Sequence, residues 1–163
     1  DPKADLQALD GVRVFNPKAR PSGISHCPNL CFGAREGNRL FMAWIRNEVP
    51  KTLGDAIVLP GKVGESLTLA QAQRAAGISA LRCLGLLKQT LGSLDQIKAI
   101  PHITVYLRSA EDFDQQSEVA NGASDLLHGI LGSAGVHTRT SVGVMQLPKS
   151  AAVEIDMIAV AHG

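Results

Sequence analysis

Aromatic residues are scarce. One Trp, one Tyr and four Phe make up 4% of 163 residues. So small a set argues against a platform for stacking nucleic-acid bases. Charge of either sign is not in surplus: 16 Lys+Arg stand against 15 Asp+Glu, for a net charge of +1. No basic run occurs, so the chain lacks the electrostatic footprint of a nucleic-acid binder. Cysteine is limited to Cys27, Cys31 and Cys83, an odd and small number that argues against a disulfide framework. His26, Cys27 and Cys31 form half of a zinc pattern, but no further Cys or His pair completes it, and no metal is expected. No apolar run approaches the roughly 18 residues of a membrane span, and no signal-peptide pattern is visible. The expected location is cytoplasmic. Because the sequence starts at Asp1 rather than Met, a removed leader stays open. Neither a G-x-S-x-G elbow nor a phosphate-binding glycine loop is present.

What is present fits one domain over residues 1–163, with an irregular, proline-rich segment over 1–28. Hydrophobic residues make up 45% of the chain, enough for a core. Val12 to Phe15 reads as a short strand, and "CFGAREGNRLFMAW" as two strands around a turn at Glu36–Asn38. "SLTLAQAQRAAGISALRCLGLLKQTLG" is the longest helix candidate. Thr68 and Gln71 form a capping box, and Gly92 is a stop. Ala72, Ala76, Ser79, Cys83, Leu86 and Thr90 recur at spacings of four and three, a stripe suited to close packing. Ile78, Leu81, Leu84, Leu87 and Leu91 widen it. "QIKAIPHITVYLRS" reads as a strand with Pro101 at its start or at an edge. "SAEDFDQQSEVANGASDLLHGILGSAG" reads as a second helix, capped by Ser109 with Asp112 and ended by Gly132 to Gly135. The order predicts an α+β fold, with two helices on one face of a mostly antiparallel sheet.

The last stretch, "HTRTSVGVMQLPKSAAVEIDMIAVA", holds Arg139 and Glu154 in an otherwise strand-like run. A hairpin turning at Pro148–Lys149 would pair Val142 with Ile155, Val144 with Val153 and Thr140 with Met157 on an apolar face. Arg139, Ser141 and Gly143 would then share the other face with Ile158, Asp156 and Glu154. Gly143 would leave room beside Glu154 for a ligand. Arg139 and Glu154 would lie roughly 13 Å apart along the hairpin. Their meeting would then require a boundary between copies of the chain.

The arginine opening a strand, the Leu-Pro turn and the Val-Glu-Ile strand resemble the signature of the Rid/YjgF family of reactive-intermediate deaminases. "GKVGESLTLAQAQRAA" and "DFDQQSEVANGASDLL" resemble its longer branch, which carries chorismate-mutase-like and endoribonuclease labels. The resemblance runs from about Asn38 to Ala161. It implies a chorismate-mutase-like homotrimer with clefts between subunits, no cofactor, and a small carboxylate-bearing metabolite as partner. The implied reaction is hydrolysis of an imine or enamine to a keto acid and ammonia. Arg139 would bind the carboxylate, and Glu154, 15 residues on, would place a water. Asn121 resembles a family asparagine, and Ser141 stands where a cysteine is common. The chain also departs from the pattern. Ala43, Trp44 and Ile45 replace a Ser-Gly-Gln stretch, so a serine hydroxyl is gone and an indole stands near the expected pocket. Leu30 replaces a tyrosine. Two alternatives accompany this reading: a non-catalytic trimeric metabolite binder, favoured by loss of the Ser-Gly pair, and the endoribonuclease, disfavoured by charge. An ion pair between Arg139 and Glu154 across subunits is the plain structural alternative.

Overall fold

The computed structural model describes residues 12–15, 31–36, 39–45 and 59–163. Six strands form one sheet: β1 (Val12–Phe15), β2 (Cys31–Glu36), β3 (Arg39–Ile45), β4 (Ile97–Arg108), β5 (Thr138–Val144) and β6 (Val153–Ala161). Their order across the sheet is β1-β2-β3-β6-β4-β5. Every neighbouring pair is antiparallel except β4 and β5, which run parallel. The fold is therefore α+β with a mixed sheet. Helices α1 (Leu69–Leu91) and α2 (Gln116–Leu131) pack against each other on one face, α1 over β6 and β3, α2 beside β5.

Local chemistry sets the helix ends. Thr68 Oγ1 accepts from the Gln71 backbone N–H while the Gln71 side chain accepts from the Thr68 N–H, the expected capping box. Gly92 ends α1 at φ 85°, a conformation that suits glycine. The second helix differs from expectation. It begins at Gln116 with no side-chain cap. Ser109 is drawn instead into a bridge with Val63, so the Ser109–Asp112 pair caps nothing. Pro101 also differs, since it lies inside β4, which is a central strand. The register of β4 on β6 shifts between Ala99 and His102, and this irregularity accommodates a residue without an N–H.

The core forms where α1 and α2 meet the sheet. Ile103, Val105 and Leu107 of β4 alternate with half-buried neighbours, as do Val153, Ile155 and Met157 of β6. Burying each such side chain contributes about 1.5–3 kcal/mol, so a one-residue slip of either strand is strongly disfavoured. On α1, Ala72, Ala76, Ser79, Cys83 and Leu86 are buried as the stripe predicts, whereas Leu81 is exposed. The small stripe lets the helices approach closely. A Cβ on Gly122 would lie 2.1 Å from the Gln73 carbonyl oxygen. Gln73 Nε2 also donates to the Glu118 carbonyl at 2.9 Å.

The obstruction at Gly122 is backbone, which cannot rotate away. Gly122→Ala is expected to destabilise the chain by about 1–3 kcal/mol despite alanine's better helix propensity. Denaturant unfolding of the purified variant checks this, and wild-type stability would contradict the close approach.

Candidate functional site

β5 and β6 do not form a hairpin. β4 lies between them and pairs with both, and α2 carries the chain from β4 to β5. The consequence is a reversal of faces in β5. Arg139 stands beside Ile103, Ser141 beside Val105 and Gly143 beside Leu107. Those β4 residues are buried beneath the helices, so Arg139, Ser141 and Gly143 belong to the helix-bearing face. Thr138, Thr140, Val142 and Val144 share the open face with His102, Thr104, Tyr106 and Arg108. The expected apolar face of β5 is therefore the open one, and Val142 is exposed. β6 keeps the expected faces, with Ile155 buried and Glu154 and Asp156 half-buried on the open side.

Arg139 and Glu154 consequently lie on opposite faces. Arg139 is level with Ile103 and hence with Met157, three residues from Glu154. Two strand spacings and three residue rises put their backbones about 14 Å apart. The two do not meet within one chain, for a stronger reason than distance along a hairpin. Gly143 is likewise no neighbour of Glu154. A Cβ there would meet Ser109 Oγ at 2.6 Å and Gln116 Nε2 at 3.5 Å, at the start of α2.

The structure does bring Arg139 and Asn121 together. Arg139 Nη1 donates to Asn121 Oδ1 and to Ser124 Oγ, both at 2.9 Å, and Nη2 donates to the Ser117 carbonyl at 3.1 Å. Ser117, Asn121 and Ser124 are spaced by four and three, so they form one stripe of α2. Ser141 is two residues along β5 on the same side as Arg139. Ser117 and Ser124 were not singled out from sequence, although the polar spacing was there to find. His137 Nε2 lies 2.9 Å from Ser124 Oγ. Trp44 is opposite Ile155 in the register of β3 on β6, and its side chain lies outside the described residues. His26, Cys27 and Leu30 also lie outside them. Among the described residues no cluster of three metal-ligating side chains occurs.

The open face has its own electrostatics. Burial, and then the negative charge of Asp156, raise Glu154 from 4.5 to about 7. Tyr106, opposite Glu154 in the register, donates its hydroxyl to Asp156 Oδ2 at 3.0 Å. Burial and this acceptor together raise the Tyr106 phenol. Arg108 Nε is buried on the same strand without a hydrogen-bond partner. At the far end His102 Nδ1 meets Thr138 Oγ1 at 2.9 Å.

Fold and site together define an α+β protein with a fixed cation at a sheet edge and two carboxyls in a row on its open face. The comparisons narrow that class. The family model described as Endoribonuclease L-PSP matches residues 49–161. Protein TCP17 of Trypanosoma cruzi is 35% identical over 157 residues, covering 95% of this chain and 91% of that protein. The protein Atu1372 of Agrobacterium tumefaciens, whose function is unknown, superposes with a TM-score of 0.75 at 34% identity, over 79% of this chain and 80% of that one. A structure from Shewanella oneidensis MR-1 has the same TM-score at 21% identity and covers 98% of each chain. The chain belongs to the Endoribonuclease L-PSP family, also called the Rid/YjgF family. Among the described residues no helix is long and apolar enough to cross a membrane.

The raised Glu154 carboxyl has a consequence for stability. Between pH 4.5 and about 7 the folded chain holds a proton that the unfolded chain has lost. Stability should therefore fall as pH rises through this window. Glu154→Gln removes the titrating group, so the difference in Tm between pH 5 and pH 8 should shrink. An unchanged difference would show that Glu154 ionises as freely folded as unfolded.

Proposed function

We propose that the chain hydrolyses a small carboxylate-bearing imine or enamine to a keto acid and ammonia, at a site completed between copies in a homotrimer. The observation that carries this reading is the state of Arg139. Neutral partners take three of its donors, and a guanidinium has five. Among the described residues the other two, one of them Nε–H, find no acceptor, and two is the number a carboxylate accepts in a bidentate fork. Among the described residues no carboxylate pairs with it. A cation held in place by neutral groups suits an incoming anion better than an existing ion pair would. Ser141 and the side-chain-free Gly143 continue the same edge toward the uncapped start of α2, whose dipole also favours an anion.

The chemistry follows from the substrate's own reactivity. An enamine tautomerises to its imine. Water adds to the imine carbon, a proton moves to nitrogen, the C–N bond breaks and ammonia leaves the keto acid. Arg139 holds the substrate carboxylate while Asn121 fixes the guanidinium. Glu154, held near 7, accepts a proton from the attacking water and returns it to the departing nitrogen. Because the two residues occupy opposite faces, Glu154 acts from the neighbouring copy. The activity in the family's description, ribonuclease, requires phosphate neutralisation, and a net charge of +1 offers little of it.

The test is ammonia release from the 2-imino acid of alanine, freshly generated by an amino-acid oxidase. Wild-type protein should accelerate it. Arg139→Ala should lower kcat/KM about 100-fold, in keeping with loss of a charge-assisted bidentate contact. Glu154→Gln should lower kcat with little change in KM and abolish a rise of rate through pH 7. Equal release by wild type and Arg139→Ala overturns the proposal.

A further inference from the structure

With a neutral imidazole, Ser124 and His137 form a hydrogen-bonded chain with one self-consistent direction. Arginine only donates, so Ser124 Oγ accepts from Arg139 Nη1 at 2.9 Å. The serine proton is then free to go to His137 Nε2, also at 2.9 Å. His137 Nδ1 lies 2.7 Å from the Gly135 carbonyl oxygen. A carbonyl can only accept, so Nδ1 carries the ring proton. That leaves Nε2 bare, which is what Ser124 needs. The chain runs from guanidinium to hydroxyl to imidazole to backbone, each group donating once to the next. Two features hold its far end. Gly135 is buried, and a Cβ there would lie 2.3 Å from the Leu127 carbonyl oxygen. The turn Gly132–Gly135 can therefore press onto the last turns of α2 and bring the His137 ring over Ser124.

We infer that Ser124 and His137 are positioning residues for Arg139, fixing which of its donors face outward to the substrate carboxylate. The inference rests on the carboxylate-anchor reading of Arg139. Asn121 and Ser124 together occupy Nη1. With Ser124 gone, the guanidinium can rotate about its last bonds and offer a mixed set of donors. With the ring gone, the serine hydroxyl loses its acceptor and can turn its proton toward the cation. Neither residue needs to touch substrate.

Two measurements test this. Nitrogen-15 NMR of the histidines of the wild-type protein, with His137 assigned by the His137→Gln variant, should show the Nδ1–H tautomer. A ring protonated at Nε2 overturns the inference without any appeal to activity. In ammonia release from the alanine-derived imino acid, Ser124→Ala should raise KM about tenfold with kcat within twofold. His137→Gln should raise KM about threefold, and Ser124→Thr, which restores a hydroxyl, should recover most of the affinity. KM at the wild-type value in Ser124→Ala overturns the inference while leaving the deaminase reading intact. The reverse failure is separate: if Arg139→Ala releases ammonia as wild type does, the anchor reading falls whatever tautomer His137 shows.

Discussion

The parallel pairing of β5 with β4 is the constraint on which the rest depends. A hairpin would have laid β5 beside β6, with its valines in the core and its arginine on the open face. The crossover through α2 places β5 at the far edge and turns it over. Arg139 then meets the polar stripe of α2 rather than the acids of β6. A buried ion pair with Glu154 would have offset much of its own attraction through desolvation of both partners. Three hydrogen bonds to neutral groups hold the guanidinium, and no carboxylate among the described residues pairs with it.

Much of the architecture was legible from pattern. The period of α1, its capping box and the alternation in β4 and β6 are local signals, and local signals survive folding. Arg139 and Asn121 were also legible as site candidates, and the structure joins them. The strand partner of β5 was not legible. A short turn after a strand normally announces a hairpin, and Leu147–Ser150 looked like one. Yet Lys149 and Ser150 adopt φ of 53° and 59°, and the turn leads away to the other side of β4. The apolar alternation of β5 misled for a related reason. Val142 and Val144 lie on the open face of an edge strand, where the described residues leave Val142 exposed and Val144 only half-buried. Ser124 and His137 escaped notice because their importance is visible only once hydrogen-bond direction can be followed through space.

The open face carries the opposite electrostatic problem. Glu154 and Asp156 are two apart on β6, so both point to the same side, and Tyr106 adds a donor that serves Asp156. Glu154, half-buried beside the charge of Asp156, keeps its proton more tightly than a free carboxyl does. Two carboxyls in one row thus differ in what surrounds them: Asp156 takes the phenol's hydrogen bond, and burial governs Glu154.

The contact at Gly122 bears on how freely the residues around Arg139 can move. α2 touches α1 through backbone at that point, and Asn121 and Ser124 flank it on the same helix. A tilt of α2 toward α1 is blocked at that point, close to the residues that hold Arg139. Groups already ordered by folding lose little further freedom on binding, so under the proposed function this contact lowers the entropic cost of holding a carboxylate.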